Sequence, residues 1–148
     1  MDIVVTGVKE IDAVLKGLPL QLNHRIIGAA LAQAAKPLVA RARELAPVRK
    51  GTLRTSIASV KVPISRASSI GQVAVGPRLR LGGYKGHWIE YGTKVRRTKK
   101  GANRGMVKAA PFMRPAFDQL KDTILSNFNV EVGQKLLAFM KRTIKKAG

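Results

Sequence analysis

The residues able to do chemistry are led by a shortage: eight Asp and Glu stand against 28 Lys and Arg. A metal-dependent nuclease would suit so basic a chain, but it needs two or three clustered carboxylates to hold divalent cations. Only Glu44 and Glu90 lie in the basic middle of the sequence. Asp118 and Asp122 stand one helical turn apart, where they complement a helix N-terminus and solvate its outer face. Ser56, Ser59, Ser65, Ser68 and Ser69 are far in sequence from His24 and His87, so they read as strand and loop residues rather than nucleophiles. His87 follows a glycine-rich stretch and precedes Trp88, the setting of a structural or interface residue rather than a base. Neither Gly-x-x-x-x-Gly-Lys-Ser/Thr nor Gly-x-Gly-x-x-Gly occurs. The absence of cysteine excludes disulfides and thiolate chemistry, and two histidines leave little for zinc or iron. The inventory predicts no catalytic residue, no cofactor, no metal site and no enzyme.

What remains is charge. The formal net charge is +20, and it is uneven. Residues 1–35 are neutral, with three basic and three acidic side chains; residues 36–108 carry eighteen basic against two acidic. Such a surface attracts polyanions and repels its own copies. The density peaks in residues 94–108, which hold seven basic residues, two glycines and no acid, and which read as a mobile, solvated loop. Arg96, Arg97, Lys99, Lys100, Arg104 and Lys108 are its candidates for facing DNA or a partner. Tyr84, Trp88 and Tyr91 lie beside it. They either form a stacking platform for single strands or pack a sheet against a helix. No helix-turn-helix, zinc-finger or RNA-recognition signature is present, so DNA contact would be to phosphates and blind to sequence.

The elements that must position these residues follow from periodicity. At 148 residues the chain suits a single domain over 1–148, with the flexible basic loop at about 94–108. Residues 2–6 read as a strand and Lys9 to Lys16 as a short amphipathic helix. A long helix runs from about Leu20 to Leu45, with a stripe of Ile27, Leu31, Ala34, Leu38, Ala42 and Leu45 and a kink at Pro37; Pro47 stops it. Residues 52–64 read as a strand and Ile70 to Val75 as its antiparallel partner, closed by Gly76-Pro77. Residues 82–86 are flexible, and residues 87–91 form a strand or one helical turn. The C-terminal third is helical. Its stripe is Phe117, Leu120, Ile124 and Phe128, with a weak point at Asn127-Phe128-Asn129 and a second stretch along Val132, Leu136, Met140 and Ile144. The fold class is therefore α+β: a small antiparallel sheet packed against a long kinked helix and C-terminal helices. No apolar run approaches the roughly 20 residues of a membrane span. No secretory signal is visible, which makes the cytosol the default compartment.

Three motifs in order carry a resemblance: Ala46-Pro47-Val48-Arg49-Lys50-Gly51-Thr52-Leu53-Arg54-Thr55-Ser56-Ile57, Trp88-Ile89-Glu90-Tyr91-Gly92-Thr93, and Ala110-Pro111-Phe112-Met113-Arg114-Pro115-Ala116-Phe117. Together they resemble the tailed-phage neck or tail-completion proteins, also described as head-to-tail joining or minor tail proteins. The resemblance spans about residues 3–146; the longer helical stretch after Asn129 departs from it. It implies a virion protein of a long-tailed phage, assembled in the host bacterial cytoplasm. Copies would ring the DNA channel, with a copy number at a multiple of six. Portal or head-completion proteins and tail-terminator proteins would be neighbours, and double-stranded DNA would pass without being read. It implies no membrane and no catalytic residue. In that light Pro47, Gly51, Leu53, Arg54, Trp88, Glu90, Gly92, Thr93, Pro111, Phe112, Arg114 and Pro115 are architectural, and Arg54 is placed to pair with Glu90. The alternative from composition is a cytosolic, sequence-nonspecific nucleic-acid-binding protein of ribosomal or nucleoid type.

Overall fold

A computed structural model describes residues 19–66 and 71–147, with side chains described through residue 142. The strand expected at 2–6, the helix at 9–16, Ser68, Ser69 and the first residue of the second strand lie outside the described residues, as does the side chain of Ile144.

The long helix forms as two segments, α1 over Leu20–Ala34 and α2 over Lys36–Leu45, interrupted at Ala35. Pro37 explains the break: it has no N–H for the carbonyl of Gln33, and its ring crowds the preceding turn. The buried stripe is Ile26, Ala30, Ala34, Leu38, Ala42 and Ala46 rather than the one expected. Ala34, Leu38 and Ala42 are common to both; Ile27, Leu31 and Leu45 are flanking and half-buried. Periodicity favoured the bulkier residues, whereas the tightest packing uses alanines, which let backbones approach closely.

The next difference is at Thr52–Ser56, expected as strand and found as a helical turn, α3. Gly51 opens it with a φ of 73°. Thr55 Oγ1 donates to the carbonyls of Gly51 and Thr52 at 3.3 and 3.1 Å, and Ser56 Oγ donates to that of Leu53 at 2.7 Å. Such back-bonding suits helical turns, and it outweighs the β-branched pattern that suggested a strand. The strand β1 then runs over Ile57–Val62 and pairs with β2, Gln72–Pro77, as a two-stranded antiparallel sheet. Two strands alone are marginal in water. This pair leans on α1: Gly71, at φ +68°, sits so close to Ile27 that a Cβ there would strike its side chain.

Residues 86–91 resolve as a short helix, α4, over Gly86–Tyr91, preceded by 3-10 turns at Leu79–Leu81 and Gly83–Lys85. The last helix, α5, is one continuous element over Met113–Ala147, about 50 Å long at 1.5 Å per residue. It does not split at Asn127–Asn129. Asparagine costs roughly half a kcal/mol per position in a helix, which is less than burying Val132 and Leu136 returns. The class is α+β, with a small antiparallel sheet, an interrupted long helix and one C-terminal helix where several were expected.

The described residues fall in two compact units. The first takes the described parts of 1–35, 60–74 and 122–148, and the second takes 36–59 and 75–121. In the first, Ile26 and Ala30 of α1 pack against Val132 and Leu136 of α5, flanked by Leu22, Phe128 and Phe139. In the second, Ala42, Ser56, Ile57, Phe112 and Ala116 are fully buried.

Candidate functional site

All three sequence motifs converge in the second unit, and Glu90 holds two of them together. It is 8% exposed, and its carboxylate caps the start of α5. Oε2 accepts the backbone N–H of Phe112 at 2.8 Å and of Met113 at 3.0 Å, and Oε1 accepts that of Arg114 at 3.0 Å. The first turn of α5 has no acid of its own. Glu90 reaches it from α4 and meets amides that the helix cannot satisfy internally. Burial alone would raise the Glu90 pKa; the three amide bonds outweigh it and hold the carboxyl below its ordinary value near 4.5. The expected Arg54–Glu90 pair does not form. Arg54 is exposed and reaches the Glu44 carbonyl at 3.5 Å. Pro115 falls in the first turn of α5, where its missing N–H costs nothing.

The remaining motif residues complete this frame. Arg43 of α2 donates through Nε at 3.0 Å and Nη2 at 2.7 Å to the Ile57 carbonyl, at the end of the first motif. Gly92 has φ 73° and ψ −178°, a conformation nearly confined to glycine. A Cβ there would stand 3.0 Å from the Val107 carbonyl oxygen and 3.0 Å from the Ala109 nitrogen. Thr93 exchanges two hydrogen bonds with Val107, each 2.9 Å: its N–H donates to the Val107 carbonyl, and its Oγ1 accepts the Val107 N–H.

Those bonds begin a ribbon through the basic segment. Arg96 N–H donates to the Gly105 carbonyl at 2.9 Å, Arg104 N–H to the Arg96 carbonyl at 2.7 Å, and Thr98 N–H to the Ala102 carbonyl at 2.9 Å. Arg97 and Asn103 form an antiparallel bridge. The segment expected as an unpaired loop therefore has a hydrogen-bonded backbone that holds its charges outward. Arg97, Lys99, Lys100, Arg104 and Lys108 are exposed, and among the described residues no carboxylate pairs with any of them. Arg96 is set apart from these five. Its guanidinium lies over the Trp88 ring, 5.6 Å from the centroid.

That contact is part of a groove of about 680 Å³. Arg49, Lys50, Lys85 and Arg96 bring charge to it; Leu53, Ile89 and Val107 bring aliphatic surface; Tyr84 and Trp88 bring aromatic rings. No acidic residue lines it. Lys85 Nζ lies 5.3 Å from the centroid of the Tyr84 ring. Trp88 is 40% exposed and Tyr91 is 70% exposed, so neither packs the sheet against a helix; the buried aromatic of this unit is Phe112. Tyr91 instead meets the ring of His87, 4.9 Å away between centroids. Sequence reasoning pointed to the 94–108 segment and did not join it to Arg49, Lys50 and Lys85. The available signal was a Lys or Arg beside a glycine turn at each place: Arg49-Lys50-Gly51 and Lys85-Gly86. Among the described residues no group of three His, Asp or Glu is placed to hold a metal.

The described residues thus present a cation-lined groove on a frame of interlocked motifs. A family described as "Bacteriophage HK97-gp10, putative tail-component" matches residues 9–92, more than half of the chain. The chain belongs to this HK97-gp10-like family of phage tail components, which fits the resemblance to neck and tail-completion proteins. The match includes the first motif and reaches Gly92 in the second; the third, which Glu90 caps, lies beyond it. No curated protein and no solved structure matches the chain. No described helix is long and apolar enough to cross a membrane.

Proposed function

We propose that this chain is a virion protein at the head–tail joint of a long-tailed phage, where copies close into a ring around the DNA channel and link head-completion proteins to the tail. The observation that carries the reading is the charge of the second unit. Residues 36–59 and 75–121 hold eighteen basic against three acidic side chains, and the ribbon's cations have no carboxylate partner among the described residues. Subunits so charged associate in a closed, heterologous ring only where acidic neighbours or DNA neutralise them. A ribbon of exposed lysines and arginines meets phosphate backbone without reading bases. It equally meets acidic patches on adjoining rings.

Quantitative mass spectrometry of purified particles tests this. A fixed count at a small multiple of six per portal ring is expected. Absence from particles, with the chain recovered in ribosome or nucleoid fractions, would overturn it in favour of a sequence-nonspecific nucleic-acid-binding protein. That second reading draws on Tyr84 and Trp88 standing exposed among cations.

A further inference from the structure

The groove and the ribbon share a charge but not a shape, and the shape selects the ligand. At about 680 Å³ the groove has the size of a cleft for a small ligand or a short stretch of chain. A duplex presents its phosphates on convex ridges and suits the outward ribbon, not this concavity. A single strand would stack its bases on open ring faces. Here the Arg96 guanidinium lies over Trp88 and the Lys85 ammonium beside Tyr84, so each ring already has a cation against it. What the groove offers is four cations around the aliphatic sides of Leu53, Ile89 and Val107. The complement is narrow, anionic and partly apolar.

We propose that this groove docks an extended acidic peptide segment of a neighbouring protein. Its carboxylates would meet Arg49, Lys50, Lys85 and Arg96, and its apolar side chain would lie on Leu53 and Ile89. Carboxylate–guanidinium pairs in a partly desolvated cleft are the strong, directional kind. A second copy of this chain is a poor source. Among its described acids, Glu44 is paired with Arg41, Glu131 with Lys135, Glu90 is held by the α5 amides, and Asp118 and Asp122 stand on the helix α5, which offers no extended segment. The proposal rests on the virion reading only for where the partner comes from.

Trp88 is the sole tryptophan and lines the groove, so it reports occupancy without a label. The full chain is titrated with a short synthetic peptide of alternating Glu and Leu, and in parallel with oligo-dT of equal charge. The peptide is expected to shift Trp88 emission to the blue and to saturate. With a labelled peptide, the R49A/R96A double variant should lose about tenfold in affinity, or about 1.4 kcal/mol. The K99A/K100A variant removes equal charge from the ribbon and should change affinity less than about twofold. Unmoved Trp88 emission, equal losses in both variants, or tighter binding of oligo-dT at Trp88 would each overturn the proposal. The wild-type titration stands even where a variant misfolds. Its failure is distinct from that of the virion reading: a chain counted in particles that ignores the peptide refutes the groove alone. A chain that binds the peptide but is absent from particles refutes the virion source alone.

Discussion

The two units are held together by different physics. In the first, an apolar seam joins two helices: Ile26 and Ala30 against Val132 and Leu136. Any helix pair with that patterning would be stabilised in the same non-directional way. In the second, Ala42, Ser56, Ile57, Phe112 and Ala116 are fully buried, and directed bonds from Glu90, Arg43, Thr93 and Ser56 tie the segments around them. The second unit also carries eighteen basic side chains. Its two central acids serve structure instead: Glu44 pairs with Arg41, and Glu90 caps α5. The ribbon's outward cations are separate from these bonds, so Lys99, Lys100 and Arg104 can be altered without touching them, whereas Arg43 cannot.

The sharpest way to break this contrast is to remove one apolar residue from the seam. Leu136→Ala should cost about 3 kcal/mol, the usual toll of a buried leucine, in denaturant unfolding. A cost below about 1 kcal/mol would mean that the seam is not what stabilises the first unit. Next is Glu90→Gln, which keeps the shape and removes the charge; it should destabilise by about 2 kcal/mol through weakened bonds to three amides. The same residue sets a pH dependence. Its carboxyl titrates below its ordinary value in the fold and returns to about 4.5 on unfolding. Acid therefore protonates the unfolded chain first. The Glu90 contribution, full above pH 4.5, declines as pH falls through the lower folded value. Unfolding midpoints of wild type and Glu90→Gln should converge over that window, and parallel curves would show that the carboxylate is not the cap.

Gly92→Ala tests the backbone geometry beside that cap. A methyl group 3.0 Å from two backbone atoms, at φ 73°, should cost about 1–3 kcal/mol by thermal melting. Trp88→Ala comes lower. With the ring 40% exposed, its loss should cost less stability than that of Leu136, while peptide binding in the groove falls. An unfolded Trp88→Ala protein would place the ring in the core after all. The smallest effect on stability belongs to K99A/K100A, within about 0.5 kcal/mol of wild type. If the ribbon touches phosphate there, the same change should lower the log–log salt slope of duplex binding by roughly 0.9 for each phosphate no longer neutralised. An unchanged slope would move the DNA-binding face elsewhere.

Much of the fold was legible before the structure. Proline positions marked the break near Pro37 and the stop at Pro47, because a missing N–H acts locally whatever surrounds it. Alternation found the β1–β2 pair, and Gly76-Pro77 its end. One error was local: Thr52–Ser56 looks like strand, yet its hydroxyls bond carbonyls three and four residues back and close a helical turn. The others fell where a distant partner decides. Asn127 and Asn129 look like a helix end, yet the seam carries the helix past them. Leu31 looks more buried than Ala30, yet close approach of α1 and α5 favours the alanine.

The site divides along the same line. The sequence by itself determined that the chain is basic in its middle, poor in carboxylates, without thiols, and built around three ordered motifs. Those are properties of composition and local order, which no folding can change. Only the tertiary structure decided that Glu90 caps α5 rather than pairing with Arg54, that Arg96 leaves the ribbon's outward cations to lie over Trp88, and that Arg49, Lys50 and Lys85 join it around one groove. Each of those depends on residues far apart in the chain meeting at a few ångströms, and such meetings are settled by backbone path and packing rather than by the order of residues along a segment.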